Sequence, residues 1–211
     1  MPRDSTTNKM LKRIRGHGRG WVFTPSEFLD LGFPDAVRQA LSRLEREQVI
    51  RRVARGVYDY PRTHRSLGLL SPNPDHVAMA IAASTGNRLQ ASGARAANLL
   101  GLTTQVPAQL IYLTDGRPRK VKIGTQVLQL KHTMASKMPG AGSKAGLALQ
   151  AIRAVGPKAD VDLLYGQLST KLSNEEQNDL IKLRKFAPSW SQHLIERLKD
   201  NVSGRKKPAN G

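Results

Sequence analysis

The sequence predicts a mixed α+β protein in two parts, on three observations. Residues 7–61 alternate helix-period and strand-period segments with sharp punctuation between them. Residues 109–132 hold three short runs of strand character. Residues 145–200 return to helical spacing, with reasonable helix starts at Asn174 and Pro188.

Composition narrows the class before any motif is weighed. The chain has 211 residues and no cysteine, which excludes a disulfide scaffold and any thiol-ligated zinc or iron–sulfur centre. No apolar run approaches the ~20 residues of a membrane span, and the charged N-terminus lacks the apolar core of a secretory signal. A cytoplasmic protein without a membrane partner is expected. Lys and Arg number 34 against 16 acids, a balance of +18. The excess is spread along the chain: +7 over residues 1–65, +6 over 66–137 and +5 over 138–211. Such a charge points to a polyanion, with nucleic acid first. An anionic membrane surface would call for a basic amphipathic helix with bulky aromatics. Only 5% of residues are aromatic, which speaks against a base-stacking single-strand binder.

The elements follow in order. Met10, Leu11 and Ile14 give residues 7–15 one apolar stripe and a basic outer face. Glycines 16, 18 and 20 break that helix into a flexible loop. Trp21-Val-Phe23 reads as a small strand. Thr24, Pro25 and Glu27 have the spacing of a capping box with proline at the first helical position, so a short helix is expected to about Leu31, ending at Gly32. Phe33-Pro34-Asp35 starts a second helix to about Gln48. Its inner face is Val37, Leu41, Leu44 and Gln48, with Ala40 beside them; its outer face presents Asp35, Gln39, Ser42 and Arg46, flanked by Arg38 and Arg43. Residues 49–53 and 56–60 alternate as a hairpin around Ala54-Arg55-Gly56.

Helix, turn, helix and arginine-tipped hairpin make a winged helix-turn-helix, whose second helix enters the major groove. A charged helix face alone is usually a solvated face; the order of elements turns it into an expected DNA surface. Arginine forks onto guanine and glutamine pairs with adenine, so Arg38, Gln39, Arg43 and Arg46 are the candidate readers. Thr24, Ser26, Ser42 and the wing residues Arg51, Arg52 and Arg55 complete the DNA-facing set, the wing and Ser42 on phosphate.

Beyond Pro61 a linker is expected over 63–73, then an α+β domain over 74–202 and a disordered basic tail over 203–211 holding Arg205, Lys206 and Lys207. The winged helix-turn-helix thus takes 1–62. In the second domain Asn73 caps a helix with Val77, Ala78, Ile81 and Ala82 on its apolar side, and Ser92 caps an alanine-rich one ending at Gly101. Strands 109–114, 119–123 and 126–132 form an antiparallel meander, with Asp115-Gly116 the strongest turn signal in the chain. Arg117, Arg119, Lys120, Lys122 and Lys131 form a second basic surface. It suits RNA, DNA or an acidic protein, or simply guards a sheet edge.

No catalytic constellation survives its context, so no enzyme, cofactor or metal is expected. Gly142-Ser143 with Asp160 and Asp162 imitates a nucleotidyltransferase, but the two acids stand at a helix start and a third carboxylate is not evident. The Gly140–Gly146 run lacks the ending of a phosphate loop. His17, His64, His76, His132 and His193 have no metal-ligand spacing.

Segments Gly20–Gly32, Val37–Leu44 and Ile50–Pro61 resemble the winged N-terminal domain of AbiEi-type antitoxins. Ser92–Pro107 and Tyr112–Gly116 are similar to the C-terminal domain of the DUF6088-like branch. The resemblance spans about residues 7–200; the two long motifs are fairly specific, the helical tail is not. It implies the antitoxin of a type IV toxin–antitoxin system. Such a protein represses its own operon by binding inverted repeats in double-stranded DNA. It counteracts a nucleotidyltransferase-like toxin, without requiring a stable complex. The resemblance carries the DNA-contact role to Arg38, Gln39, Ser42, Arg43, Arg46 and the wing arginines. The alternative is an RNA-binding or RNA-protecting protein acting through the basic C-terminal domain.

Overall fold

Residues 5–204 are described by a computed structural model, the side chains of 203 and 204 excepted. The expected tail cations Arg205, Lys206 and Lys207 lie outside the described residues; positions 203 and 204 are helix, not tail. The chain is mixed α and β, with eight α-helices and three small sheets among the described residues. It divides into two compact units. One takes the residues up to Asn87 together with Arg119–Leu128; the other takes Arg88–Pro118 and the residues from Gln129 onward.

The first unit opens with α1 (Thr6–His17), capped by the Ser5 hydroxyl on the Asn8 amide. Gly18 and Gly20, at φ 82° and 94°, turn the chain into β1 (Val22–Phe23). Backbone bonds from Gly20 to the Tyr60 carbonyl and from Tyr60 to the Trp21 carbonyl hold this glycine segment. The expected helix after Thr24 shrinks to one 3-10 turn, Pro25–Phe28. The expected capping box is not made. Thr24 is 3% exposed and its hydroxyl bonds the Ser26 hydroxyl at 2.6 Å instead of a backbone amide.

Helix α2 (Pro34–Arg46) follows, with proline in its first turn and Asp35 near the positive end of the helix dipole. It ends two residues before the expected Gln48. Gln48 N–H reaches the Glu45 carbonyl and Val49 N–H the Leu44 carbonyl, the paired bonds of a Schellman motif, with Gln48 left-handed at φ 56°. Strands β2 (Arg51–Ala54) and β3 (Val57–Asp59) form the hairpin, and the sheet order is β1-β3-β2. Met10, Ile14, Phe23, Phe28, Val37, Leu41, Leu44 and Ile50 share one core beneath them.

The expected linker is structured. Strands β4 (Thr63–His64) and β5 (Gly68–Leu69) pair as a small ribbon. Helix α3 (Pro74–Ala83), capped by Asn73, packs on β1 and β3 through its apolar side, so it belongs to the first unit and not to a second domain.

The remaining strands are β6 (Leu89–Ala91), β7 (Gln109–Thr114), β8 (Arg119–Ile123) and β9 (Gln126–His132), and the four-stranded sheet runs β6-β7-β9-β8. This overturns the expected meander, because β9 and not β8 lies beside β7. Gly116 lacks the positive φ that a tight Asp-Gly hairpin requires, and the Asp115 carboxylate accepts the Arg88 amide at 2.8 Å. The tight turn is at Gly124, φ 59°, between β8 and β9.

In the second unit α4 (Ala94–Leu99) packs along α5 (Lys144–Val155). The N-cap of α4 is Gly93 and not the expected Ser92. Small residues let the two helices approach, with Ala96, Ala97, Ala145 and Ala148 buried. A Cβ on Gly146 would overlap the Gly140 carbonyl oxygen, so this glycine serves close packing. Helices α6 (Val161–Lys171), α7 (Asn174–Lys182) and α8 (Ser189–Gly204) complete the unit. A full capping box at Ser173 and Glu176 starts α7. Lys144 adds a charge partner, and hydrogen bonding from the Ser173 amide holds the Glu176 carboxyl below the ordinary range.

Candidate nucleic-acid interface

The outer face of α2 is where the sequence expects the readers. Arg38, Gln39, Ser42, Arg43 and Arg46 are all exposed, because the inner face is spent on Val37, Ala40, Leu41 and Leu44. Their charges are not equally free. Arg38 pairs with Asp35 one turn back, and Arg43 with Glu47 at 2.9 Å. Both pairs are solvent-exposed, so each holds its arginine by only ~0–1 kcal/mol and yields easily to a phosphate or a base edge. Arg46 is exposed and pairs with no acid among the described residues.

The approach to α2 is fixed by α1. The Arg13 guanidinium grips Asp30 through two bonds, 2.8 and 2.6 Å, and also donates to the Glu27 carbonyl. Those side-chain bonds hold the Asp30 carboxyl below its ordinary range. The 3-10 turn and the turn into α2 are thereby tied to a helix across the core. Nothing in the sequence spacing signals this pair. At the head of α2 stands Phe33, 85% exposed, with the half-exposed Leu29 near it in sequence. In the sequence Phe33 marks only a helix boundary. The hint of more is a large apolar residue placed just outside the helix's apolar stripe.

The hairpin separates its three arginines. Arg52 and Arg55 are exposed. Arg51 is not available: its guanidinium holds Asp59, 1% exposed, through bonds of 2.9 and 2.6 Å, and caps the Leu70 carbonyl at 2.9 Å. A buried carboxylate requires such a partner, so Arg51 is structural. Thr24 leaves the expected contact set for the same kind of reason, being buried with its hydroxyl engaged. Ser26 is exposed.

The expected second basic surface is divided. Arg119, Lys120 and Lys122 fall in the first unit, whereas Arg117 and Lys131 fall in the second. Arg119 donates to the Arg55 carbonyl at the hairpin turn, a bond between residues 64 apart that no local pattern announces.

The residues that imitate catalytic motifs have structural work. Ser143 caps α5 through the Gly146 amide, and Asp160 caps α6 through the amides of Asp162 and Leu163. Asp162 pairs with Arg197 at 2.7 Å. His132 bonds the Gly116 carbonyl, His64 bonds Ser66, and His17 stacks on Trp21 at 3.9 Å. Among the described residues no three His, Asp or Glu side chains converge to hold a metal ion, and no helix is long and apolar enough to cross a membrane.

No curated protein matches the chain. Among solved structures it is similar to the RV2827C protein from Mycobacterium tuberculosis, at 13% identity over 93% of this chain and 77% of that one, with a TM-score of 0.42. The profile of a family of unknown function, DUF6088, matches residues 9–180, and the chain belongs to that family.

Proposed function

We propose that the first unit is a winged helix that binds double-stranded DNA, with α2 in the major groove and the β2–β3 hairpin as its wing. We further propose that the protein is a repressor of its own operon and the antitoxin of a type IV system. The observation that carries the DNA reading is the joint placement, on one core, of the exposed face of α2 and of Arg52 and Arg55. The element order of helix, strand, short turn, helix and hairpin, with the sheet order β1-β3-β2, supports it. A helix fits the major groove of B-form DNA, whereas the major groove of duplex RNA is too deep and narrow to admit one. That difference favours DNA over duplex RNA as the ligand of α2.

The roles divide by chemistry. Arg38, Gln39, Arg43 and Arg46 have the donors that read base edges; Ser42, Arg52 and Arg55 serve phosphates. Phe33, the exposed N-cap residue of α2, offers an apolar ring of the kind that contacts a thymine methyl. The antitoxin role and its nucleotidyltransferase-like partner rest on the resemblance of the two long motifs. The neighbouring reading frame checks that part: a product with a Gly-Ser pair and an Asp-x-Asp motif is expected.

The DNA reading is tested on duplexes selected by the full-length protein from a random pool. Replacing Arg38, Arg43 and Arg46 together by alanine is expected to abolish selective binding, at roughly 1–3 kcal/mol for each bidentate arginine–guanine pair removed, while circular dichroism stays that of the wild type. Unchanged gel-shift affinity in the folded variant refutes the assignment of α2.

A further inference from the structure

A cavity of 300 Å³ lies within the first unit, walled by stretches of chain between residues 17 and 76. The end of α1 and the glycine turn after it supply His17, Arg19 and Trp21; the segment after β3 supplies Arg62; the first turn of α3 supplies His76. The wall is braced. The His17 imidazole stacks on the Trp21 ring at 3.9 Å. Gly20 donates its amide to the Tyr60 carbonyl, which fastens the glycine turn to the end of the hairpin. The Arg19 guanidinium lies over the Tyr60 ring at 4.8 Å and donates to the Pro61 carbonyl at 2.9 Å. That carbonyl belongs to the peptide bond leading into Arg62, so the head of Arg19 stands beside the backbone that carries Arg62. Among the described residues of the lining, Asp59 is the only acid, and Arg51 already holds both of its carboxylate oxygens.

A recess lined by one sign of charge concentrates ions of the other sign. A role in the fold accounts for part of this set, since Arg19 joins the Tyr60 ring to the Pro61 carbonyl. It does not account for Arg62 or His76, both exposed, whose side chains make no hydrogen bond or ion pair among the described residues. Arg19 uses one contact edge in the fold and is held in place by it, so its other donors meet a ligand with little freedom left to lose. We infer that this cavity binds the phosphate of a small phosphorylated molecule, with Arg19 and Arg62 on the phosphate oxygens and His17 and His76 as further donors. The planar fork of arginine matches phosphate oxygens. The volume falls at the small end of ligand sites, and such recesses bury small molecules, whereas duplex phosphates are met on open surface. The inference goes beyond the DNA reading and uses none of the residues proposed to touch DNA.

The experiment follows the indole and backbone N–H signals of the full-length protein by heteronuclear NMR while inorganic phosphate replaces chloride at constant ionic strength. The titration is repeated with adenosine monophosphate. The chain has two tryptophans, so Trp190→Phe identifies the Trp21 indole. Both ligands are expected to give saturable shifts at Trp21 and in the segments around Arg19 and Arg62. Arg19→Gln/Arg62→Gln is expected to weaken both by at least about tenfold, as removal of charge-assisted hydrogen bonds does. Arg62→Gln alone removes no hydrogen bond or ion pair of the fold and is expected to weaken them by roughly three- to tenfold, which keeps the test open if the double variant unfolds. The variant with Arg38, Arg43 and Arg46 replaced by alanine keeps the wild-type titration. Absence of a saturable shift at Trp21, or shifts unchanged in the folded Arg62→Gln variant, overturns the inference. Saturation by phosphate but not by adenosine monophosphate restricts the cavity to a bare ion and overturns it too. If unphosphorylated duplex DNA displaces phosphate, and Arg62→Gln loses duplex affinity, the cavity belongs to the DNA backbone: the small-molecule site falls and the DNA reading stands. If the wild type binds phosphate and adenosine monophosphate but no duplex DNA, the DNA reading falls and this inference stands.

Discussion

At the scale of single residues, the β2–β3 hairpin shows how one residue type takes two roles within five positions. Arg51, Arg52 and Arg55 look alike in the sequence, where each is a cation in a hairpin. What separates them is Asp59, a carboxylate with 1% exposure that lies across the ladder from Arg51. Two bonds to that carboxylate and one to the Leu70 carbonyl commit Arg51 to the fold. Arg51→Ala leaves a buried carboxylate without its cation and is expected to cost about 3–5 kcal/mol of stability, read as a lowered thermal midpoint. Arg52→Ala and Arg55→Ala are surface changes, expected to stay within about 0.5 kcal/mol while weakening duplex binding. Equal melting of all three variants contradicts this division. The alternation of residues 49–53 in the sequence says which positions are apolar. It does not say which cation meets a buried acid eight residues on, because that depends on ladder register.

At the scale of elements, the periodic segments are legible in the sequence and their ends less so. The apolar stripe of α2 is the one its spacing dictates, and its exposed face is the one expected. The segment after Thr24 has the right residues for a capping box, yet the Thr24 hydroxyl bonds Ser26 and a single 3-10 turn results. Tertiary clamping by Arg13 outweighs the local pattern there. The Asp115-Gly116 signal misleads in a related way: the Asp115 carboxylate is taken by the Arg88 amide, so β8 leaves β7 and pairs with β9 alone. The end of α2 yields a prediction at this scale. Gln48 holds the left-handed C′ position of a Schellman motif at φ 56°, where a side chain costs roughly 1–2 kcal/mol. Gln48→Gly removes that cost and gives back part of the gain to the freer unfolded chain, for a net stabilisation of about 0.5–1 kcal/mol. A higher urea midpoint at unchanged m is the expected result, with DNA affinity unaltered.

At the scale of the whole molecule, composition reveals the spread of charge along the chain but not the division into units. A boundary after Pro61 follows naturally from the Pro, Ser and Asn punctuation of the segment beyond it. Punctuation marks where the chain turns; it does not say on which side the next helix buries its apolar face. Helix α3 covers β1 and β3 with Val77, Ala78, Ile81 and Ala82, all buried, and Val121, Ile123 and Leu128 are buried in segments grouped with the same unit. A fragment ending at residue 62 therefore loses the helix that packs on β1 and β3. Burying a valine or isoleucine side chain is worth ~1.5–3 kcal/mol, so removing Val77 and Ile81 alone takes away about 3–6 kcal/mol as an upper estimate, comparable with the whole stability of a small domain. The 1–62 fragment is expected to melt without a cooperative transition and to bind duplex DNA far more weakly than the full chain, although it holds every proposed DNA-contact residue of α2 and the two exposed arginines of the β2–β3 hairpin. Extending it through Asn87 is expected to restore much of the cooperativity, since α3 then covers β1 and β3. A 1–62 fragment that melts as sharply as the 1–87 fragment, followed by far-ultraviolet circular dichroism, shows that α3 is dispensable and returns the boundary to the linker.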